Sequence, residues 1–427
     1  MGSNSNKKPR KTVATKKISK KKNSYYKRFS KFSSFKKALL FAAAFALIAT
    51  ALLIITHAET SPYDNVRQSQ LVNNPHSGLI YNGLRAVKAN ADHPCKGLFE
   101  VEGVSVNGKP VCTHGPDPAP DGIDVTKVTV NERLTQLAQV PQTVTTPEQL
   151  ASENVSNLAL DRNSGFFTNQ FPISALPCTS GKYRIQLVLI THNSDNSTVI
   201  PQFRVTAQRL QSQLMYSSTH SGPGSTQRWF RFVTDSTCHA AVSTVIVPTS
   251  ISLATAQGVI TYLGNHGYSG TYTKYLVWDS AGDADFCAAA NTYNDSQPIA
   301  LKNQANLQTG YGVIAAPCWS STAELHEMGH FLGAVSDNAP HSSGGTHCLD
   351  EHDEMCYNDG GYCLISAISV PCGVNGKAVY VAANCTDLSL QWLLDCNKND
   401  YFNTSTSIST TNYLYNHWNI AHSPYLE

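Results

Sequence analysis

Between Lys182 and Gly333 the sequence alternates two hydrophobic periods, and this limits the folds open to the chain more than any other feature. "YRIQLVLITH" is a run of aliphatic and β-branched residues of strand length. In "PQFRVTAQRLQSQLMYSST" the apolar positions Phe203, Ala207, Leu210 and Leu214 fall on one helical face. "RWFRFVT" and "AVSTVIVP" read as strands, "SLATAQGVITYLGNHGY" as a helix ending near Gly264, and "KYLVWDS" and "GYGVIAAPCW" as strands again. "SSTAELHEMGHFLG" reads as a helix with serines at its start and glycine at its end. Strands alternating with helices argue an α/β (α+β) fold in which helices pack on one mixed, twisted sheet. Beyond Gly333 the chain turns rich in glycine, cysteine and asparagine, and residues 387–395 are the later helix candidate. There are no internal repeats.

The front of the chain has a different character. Residues 1–37 hold 14 Lys and Arg and no acid, which leaves 18 basic against 30 acidic residues in the remainder. An acidic body argues against a nucleic-acid partner. Residues 38–56, "ALLFAAAFALIATALLIIT", are 19 uncharged and almost wholly apolar residues, about a bilayer-spanning length. With lysines before it and Glu59 after it, the span orients the N-terminus inside. It reads as a transmembrane anchor, or as the core of a signal peptide cut after Ala58. Either way the rest is expected outside the cytosol, membrane-anchored or secreted. The cysteines agree, because all 12 follow the span, as expected of disulfides in an exported chain. No CxxC pair occurs, which disfavours a cysteine-zinc ribbon. Residues 59–175 read as a linker followed by an accessory or pro region, and residues 176–427 as the main domain with a cysteine-rich C-terminal part. Within the former, Cys95 and Cys112 flank a hairpin turning at Asn107-Gly108 and are expected to pair. "THGPDPAPDG" marks a boundary.

The chemistry concentrates in "HEMGHFLGAVSDNAPH", His326 to His341. Residues four apart share a helix face, so His326 and His330 can aim imidazoles at one ion, with Glu327 beside them. Zinc chemistry uses such a set: the ion polarises water and carbonyl, and the carboxylate takes the proton. Gly333 can turn the chain back toward the metal without steric cost. Downstream, "DEMCY" places Met355 two residues before Tyr357.

These motifs, HExxHxxG followed by a methionine turn, resemble those of the metzincin zinc endopeptidases over about Lys182 to Tyr357. The resemblance implies a metzincin-like catalytic domain, Zn2+ on His326 and His330, Glu327 as general base, Met355 beneath the metal, and Tyr357 reaching the metal or the oxyanion. It implies peptide-bond hydrolysis in extracellular protein or peptide substrates. The spacing departs from the family, since the third-ligand position holds Ser336. His341, in "APH", is the expected third ligand on a longer loop, stiffened by Pro340. Asp337, the aspartate of snapalysin-like members, is the alternative, and His347, Glu351 and His352 follow. Asp337 can also serve as acceptor for a ligand histidine's other nitrogen. "PVCTHGPD" is faintly similar to the cysteine switch of matrixins, but the hairpin favours a Cys95–Cys112 disulfide. "DCNKND", with Asp395, Asn397, Asn399 and Asp400, has the spacing of a structural Ca2+ loop, although a polar turn explains it as well. The rival function is a non-catalytic extracellular binding protein on a degenerate protease scaffold, which would not need Glu327.

Overall fold

The computed structural model describes residues 61–63, 81, 83–117, 125, 127–139, 144–145, 173–174, 176–282, 286–320, 323–348, 353–356 and 393–427. The basic head, the apolar span 38–56, Tyr357, Glu351 and His352 lie outside them, as does most of the helix candidate at 387–395. Among the described residues no helix is long and apolar enough to cross a membrane. Pro62–Glu427 make up one compact unit.

A small antiparallel sheet comes first, β1 (Leu84–Ala86), β2 (Phe99–Val106) and β3 (Lys109–Thr113), in that spatial order. Asn107 and Gly108 both have positive φ, as a tight two-residue hairpin turn requires, and Cys95 is bonded to Cys112. A short helix α1 (Val130–Gln139) follows, in a stretch where the sequence is weakly patterned.

The main sheet holds β4 (Arg184–Thr191), β5 (Val242–Ile246), β6 (Thr273–Asp279), β7 (Ala288–Ala290) and β8 (Gly310–Ala315) in the spatial order β5-β4-β6-β8-β7. The first four in that order are parallel, and β7 pairs antiparallel with β8 at one edge. Parallel strands covered on both faces read as near-continuous apolar runs, which is why they stand out in the sequence. In β4, Leu187 and Leu189 join one core, and Val188 and Ile190 the other.

On the first face pack α2 (Val199–Thr219), α4 (Ala323–Leu332) and the C-terminal residues, with α3 (Ala256–Asn265) and the small N-terminal sheet on the second. Phe203 of α2 stacks on Trp278 of β6 with ring centroids 4.2 Å apart, and Trp278 stacks on Trp319 at 4.6 Å. "RWFRFVT" forms isolated bridges rather than a strand, Phe230 with Leu426 and Phe232 with Ile185. Residues 393–427 are irregular, with two 3-10 turns at Tyr413–Tyr415 and Ile420–His422. The fold is therefore mixed α/β on a mixed sheet, stapled also by Cys178–Cys238, Cys287–Cys318 and Cys348–Cys356.

Candidate metal centre

Helix α4 is wholly buried, and its first turn carries Glu324, which accepts from Trp278 Nε1 at 3.0 Å. A carboxylate at a helix N-terminus is favoured by the dipole, but burial pushes the Glu324 carboxyl up to about 7. One turn on, His326, Glu327 and His330 face the same side. Gly329, on this helix, sits against Met355. A Cβ at Gly329 would come within 2.2 Å of Met355 Sδ, so this position admits only glycine while the methionine stays in place. Gly333 ends the helix at φ +93°, and a Cβ there would meet Ala305 and Trp418 at 2.9 Å.

Past Gly333 the chain departs from expectation. His341 is not at the centre. Its backbone N–H donates to Asp400 Oδ1 at 2.9 Å, and its Nδ1 lies 2.7 Å from Asp400 Oδ2. Asp337 is also elsewhere: its backbone N–H donates to Asn294 Oδ1, Asn294 Nδ2 donates to its carboxylate, and that carboxylate accepts the Thr346 N–H at 3.4 Å. It thus braces the loop. Ser336 donates to Asn338 Oδ1 at 2.6 Å.

The imidazole that does arrive is His347. It follows a two-residue turn between β9 (Ser342–Gly344) and β10 (His347–Cys348), where Gly345 and Thr346 have φ of 65° and 69°. Glycine fits this turn, whereas a β-branched threonine adopts it at a cost of roughly 1–2 kcal/mol. Thr346 Oγ1 donates to the Gly345 carbonyl at 2.6 Å and lies 3.2 Å from His330 Nδ1. The Cys348–Cys356 disulfide joins the residue after His347 to the residue after Met355, tying this loop to the methionine turn.

The three Nε2 atoms of His326, His330 and His347 lie 2.9, 3.1 and 3.2 Å from one another. A tetrahedral ion with bonds of about 2.0–2.1 Å holds its ligand atoms about 3.3 Å apart. His326 Nδ1 donates to the Glu354 carbonyl at 2.8 Å, and His330 Nδ1 to Thr346 Oγ1, so both Nε2 lone pairs point at the same place. Burial holds His347 down to about 3 and His330 well below the usual imidazole range, which keeps both neutral, the form that binds metal.

Two more residues, from the N-terminal region, complete the cluster. Asp117 Oδ2 is 3.5 Å from His326 Nε2, and Asp117 Oδ1 is 3.7 Å from His347 Nε2 and 3.5 Å from His114 Nδ1. His114 Nε2 is 3.5 Å from Glu327 Oε2, and its ring lies on that of His330 with centroids 4.0 Å apart. Burial pushes the Glu327 carboxyl well above the usual range, and neighbouring Asp117 adds to this. Burial opposes ionisation of Asp117, yet the imidazoles of His114, His326 and His347 hold its carboxyl below the usual range. Both oxygens of Asp117 and of Glu327 are buried without a hydrogen-bond donor. Two orphaned carboxylates against converging imidazole nitrogens fit a divalent cation: His326, His330 and His347 offer three nitrogens and Asp117 an oxygen.

In the segment considered for calcium, the carboxylates are engaged within the protein. Asp395 accepts the backbone N–H groups of Asn399, Asp400, Tyr401 and Phe402, and Asp400 holds His341.

The sequence reading ranked His347 below His341 and did not single out His114 or Asp117. Cys348 beside His347, and a histidine two and an aspartate five residues after Cys112, are the available signals. No protein-family model matches the chain, and no curated protein matches it.

Proposed function

We propose that the chain is a zinc-dependent endopeptidase of metzincin type, with His326, His330 and His347 as the protein ligands and Glu327 as the general base. The observation that carries this reading is the convergence of three buried imidazole nitrogens beside an orphaned carboxylate on one helix. Zinc bound there supplies a Lewis acid that acidifies water and polarises a peptide carbonyl. Glu327 takes the proton from the attacking water on a carboxylate oxygen and hands it to the leaving nitrogen. Met355 and Gly329 fix the helix from behind, so the two histidines on it keep their aim.

Metal analysis of the full chain should give about one zinc per molecule. Cleavage of a denatured protein is best measured on Asp117→Ala, which removes the Asp117 carboxylate from the three imidazoles and leaves Glu327 in place. That variant should cleave, stop on chelation, and stop again when Glu327→Gln is added with zinc retained. A zinc-loaded Asp117→Ala chain that hydrolyses no peptide bond would refute the reading.

A further inference from the structure

Of the four disulfides among the described residues, Cys348–Cys356 closes the shortest loop. Its cysteines are 8 apart in sequence, against 17, 31 and 60 for the others. A cross-link stabilises a fold chiefly by restricting the unfolded chain, and it does so least when the loop is short. Both ends of this bond lie at the histidine cluster. Cys348 directly follows His347, whose Nε2 meets those of His326 and His330 at 3.2 and 3.1 Å. Cys356 directly follows Met355, which packs against Gly329 on α4 between those two histidines. The bond thus refers the loop imidazole to the helix imidazoles by a short covalent route.

The two ends are held unequally. At the methionine turn, Met355 N–H donates to Asp353 Oδ1 at 2.8 Å, and the Tyr401 hydroxyl donates to the same oxygen. Cys396 N–H donates to Asp353 Oδ2 at 2.9 Å, and the Glu354 carbonyl accepts from His326 Nδ1 at 2.8 Å. Around His347 the main-chain contacts are longer. Cys348 N–H reaches the Met355 carbonyl at 3.4 Å, Thr346 N–H the Asp337 carboxylate at 3.4 Å, and Val335 N–H the Thr346 carbonyl at 3.3 Å. All three exceed the roughly 2.7–3.2 Å of ordinary N–H···O bonds. Resting on the three-histidine centre described above, we propose that the Cys348–Cys356 disulfide positions His347 for the metal, so that oxidation of this thiol pair precedes tight metal binding. The pair is oxidised by exchange with an external disulfide. The S–S bond forms in the chain and breaks in the external disulfide, which takes up the two electrons and two protons and leaves as two thiols. Reduction by an external dithiol runs the same exchange backward. It returns His347 to the long contacts of its hairpin, while His326 and His330 stay fixed on α4.

The test compares three full chains: native, Cys348→Ser with Cys356→Ser, and Cys178→Ser with Cys238→Ser. Zinc affinity is measured by competition with a chromophoric chelator. The first variant should bind zinc about 10–100-fold more weakly, the loss typical when a group that orients a ligand is removed. The second should stay within about twofold of the native chain, although it gives up the longer loop and so more of the fold's stability. The visible absorption of the Co(II)-loaded chain should change in the first variant and persist in the second. If the first variant fails to fold, the native chain is reduced with a phosphine and the opened pair mapped by alkylation. Zinc should then leave in step with the opening of Cys348–Cys356 and return on reoxidation. Unchanged affinity in the first variant, equal losses in both, or zinc retained with this pair open would overturn the positioning role. A native chain that binds no zinc would overturn the metal centre itself and the proposal with it.

Discussion

The two edges of the main sheet are treated in opposite ways. At β5 the edge is half-buried, with Ile246 54% exposed, and Pro248 ends the run two residues later. At β7 all three alanines are buried, and the chain itself lies along the edge through residues 113–117. An exposed edge is a template for unwanted pairing, and beyond β5 the chain reaches Pro248, which has no N–H to offer a further strand. The β7 edge is covered instead, and by the segment that brings Asp117 and His114 to the histidines. The edge beside the histidine helix is thus closed by a segment that carries His114 and Asp117, whereas the far edge runs out at Pro248.

Substitutions and metal removal put the two edges to the test. The largest effect is expected at the guarded edge. On an Asp117→Ala background, Glu327→Gln should lower turnover by about 10²–10⁴-fold while zinc content stays the same, as steady-state rates and metal analysis would register. Chelation comes next. Emptying the centre should lower Tm, because an ion that binds only the folded state stabilises it, and restored zinc should return the transition to its starting point. Gly329→Ala should destabilise by about 1–3 kcal/mol, since the new methyl meets Met355 Sδ, and a denaturation curve measures it. The smallest effect belongs to the open edge. Ile246→Lys should change stability by less than about 0.5 kcal/mol and leave zinc content and cleavage untouched. An Ile246→Lys protein that lost zinc would mean that the two edges are coupled, contrary to the contrast drawn here.

What the sequence could convey follows the same division. The parallel strands are legible because burial on both faces writes them as apolar runs, and α4 because His326 and His330 obey the helix repeat. β7 is three alanines, with no alternation and little intrinsic strand preference; it is a strand because β8 and residues 113–117 pair with it. The third histidine is hard to read from sequence for a related reason. A loop ligand has no period, and the choice between His341 and His347 rests on Asp400 capturing the first, and on a left-handed turn and the Cys348–Cys356 bond delivering the second. Asp117 and His114 lie far from the HEMGH segment in sequence, and only the added-strand path along β7 brings them to it.

The central claim is that His347 joins His326 and His330 in holding one metal ion, and metal content of three proteins tests it most directly. Native chain, His341→Ala and His347→Ala are dialysed against a weak chelator and analysed for zinc. About one zinc per chain is expected in the native protein and in His341→Ala, because the native His341 imidazole is held by Asp400, and little or none in His347→Ala. Zinc kept by His347→Ala and lost by His341→Ala would contradict it.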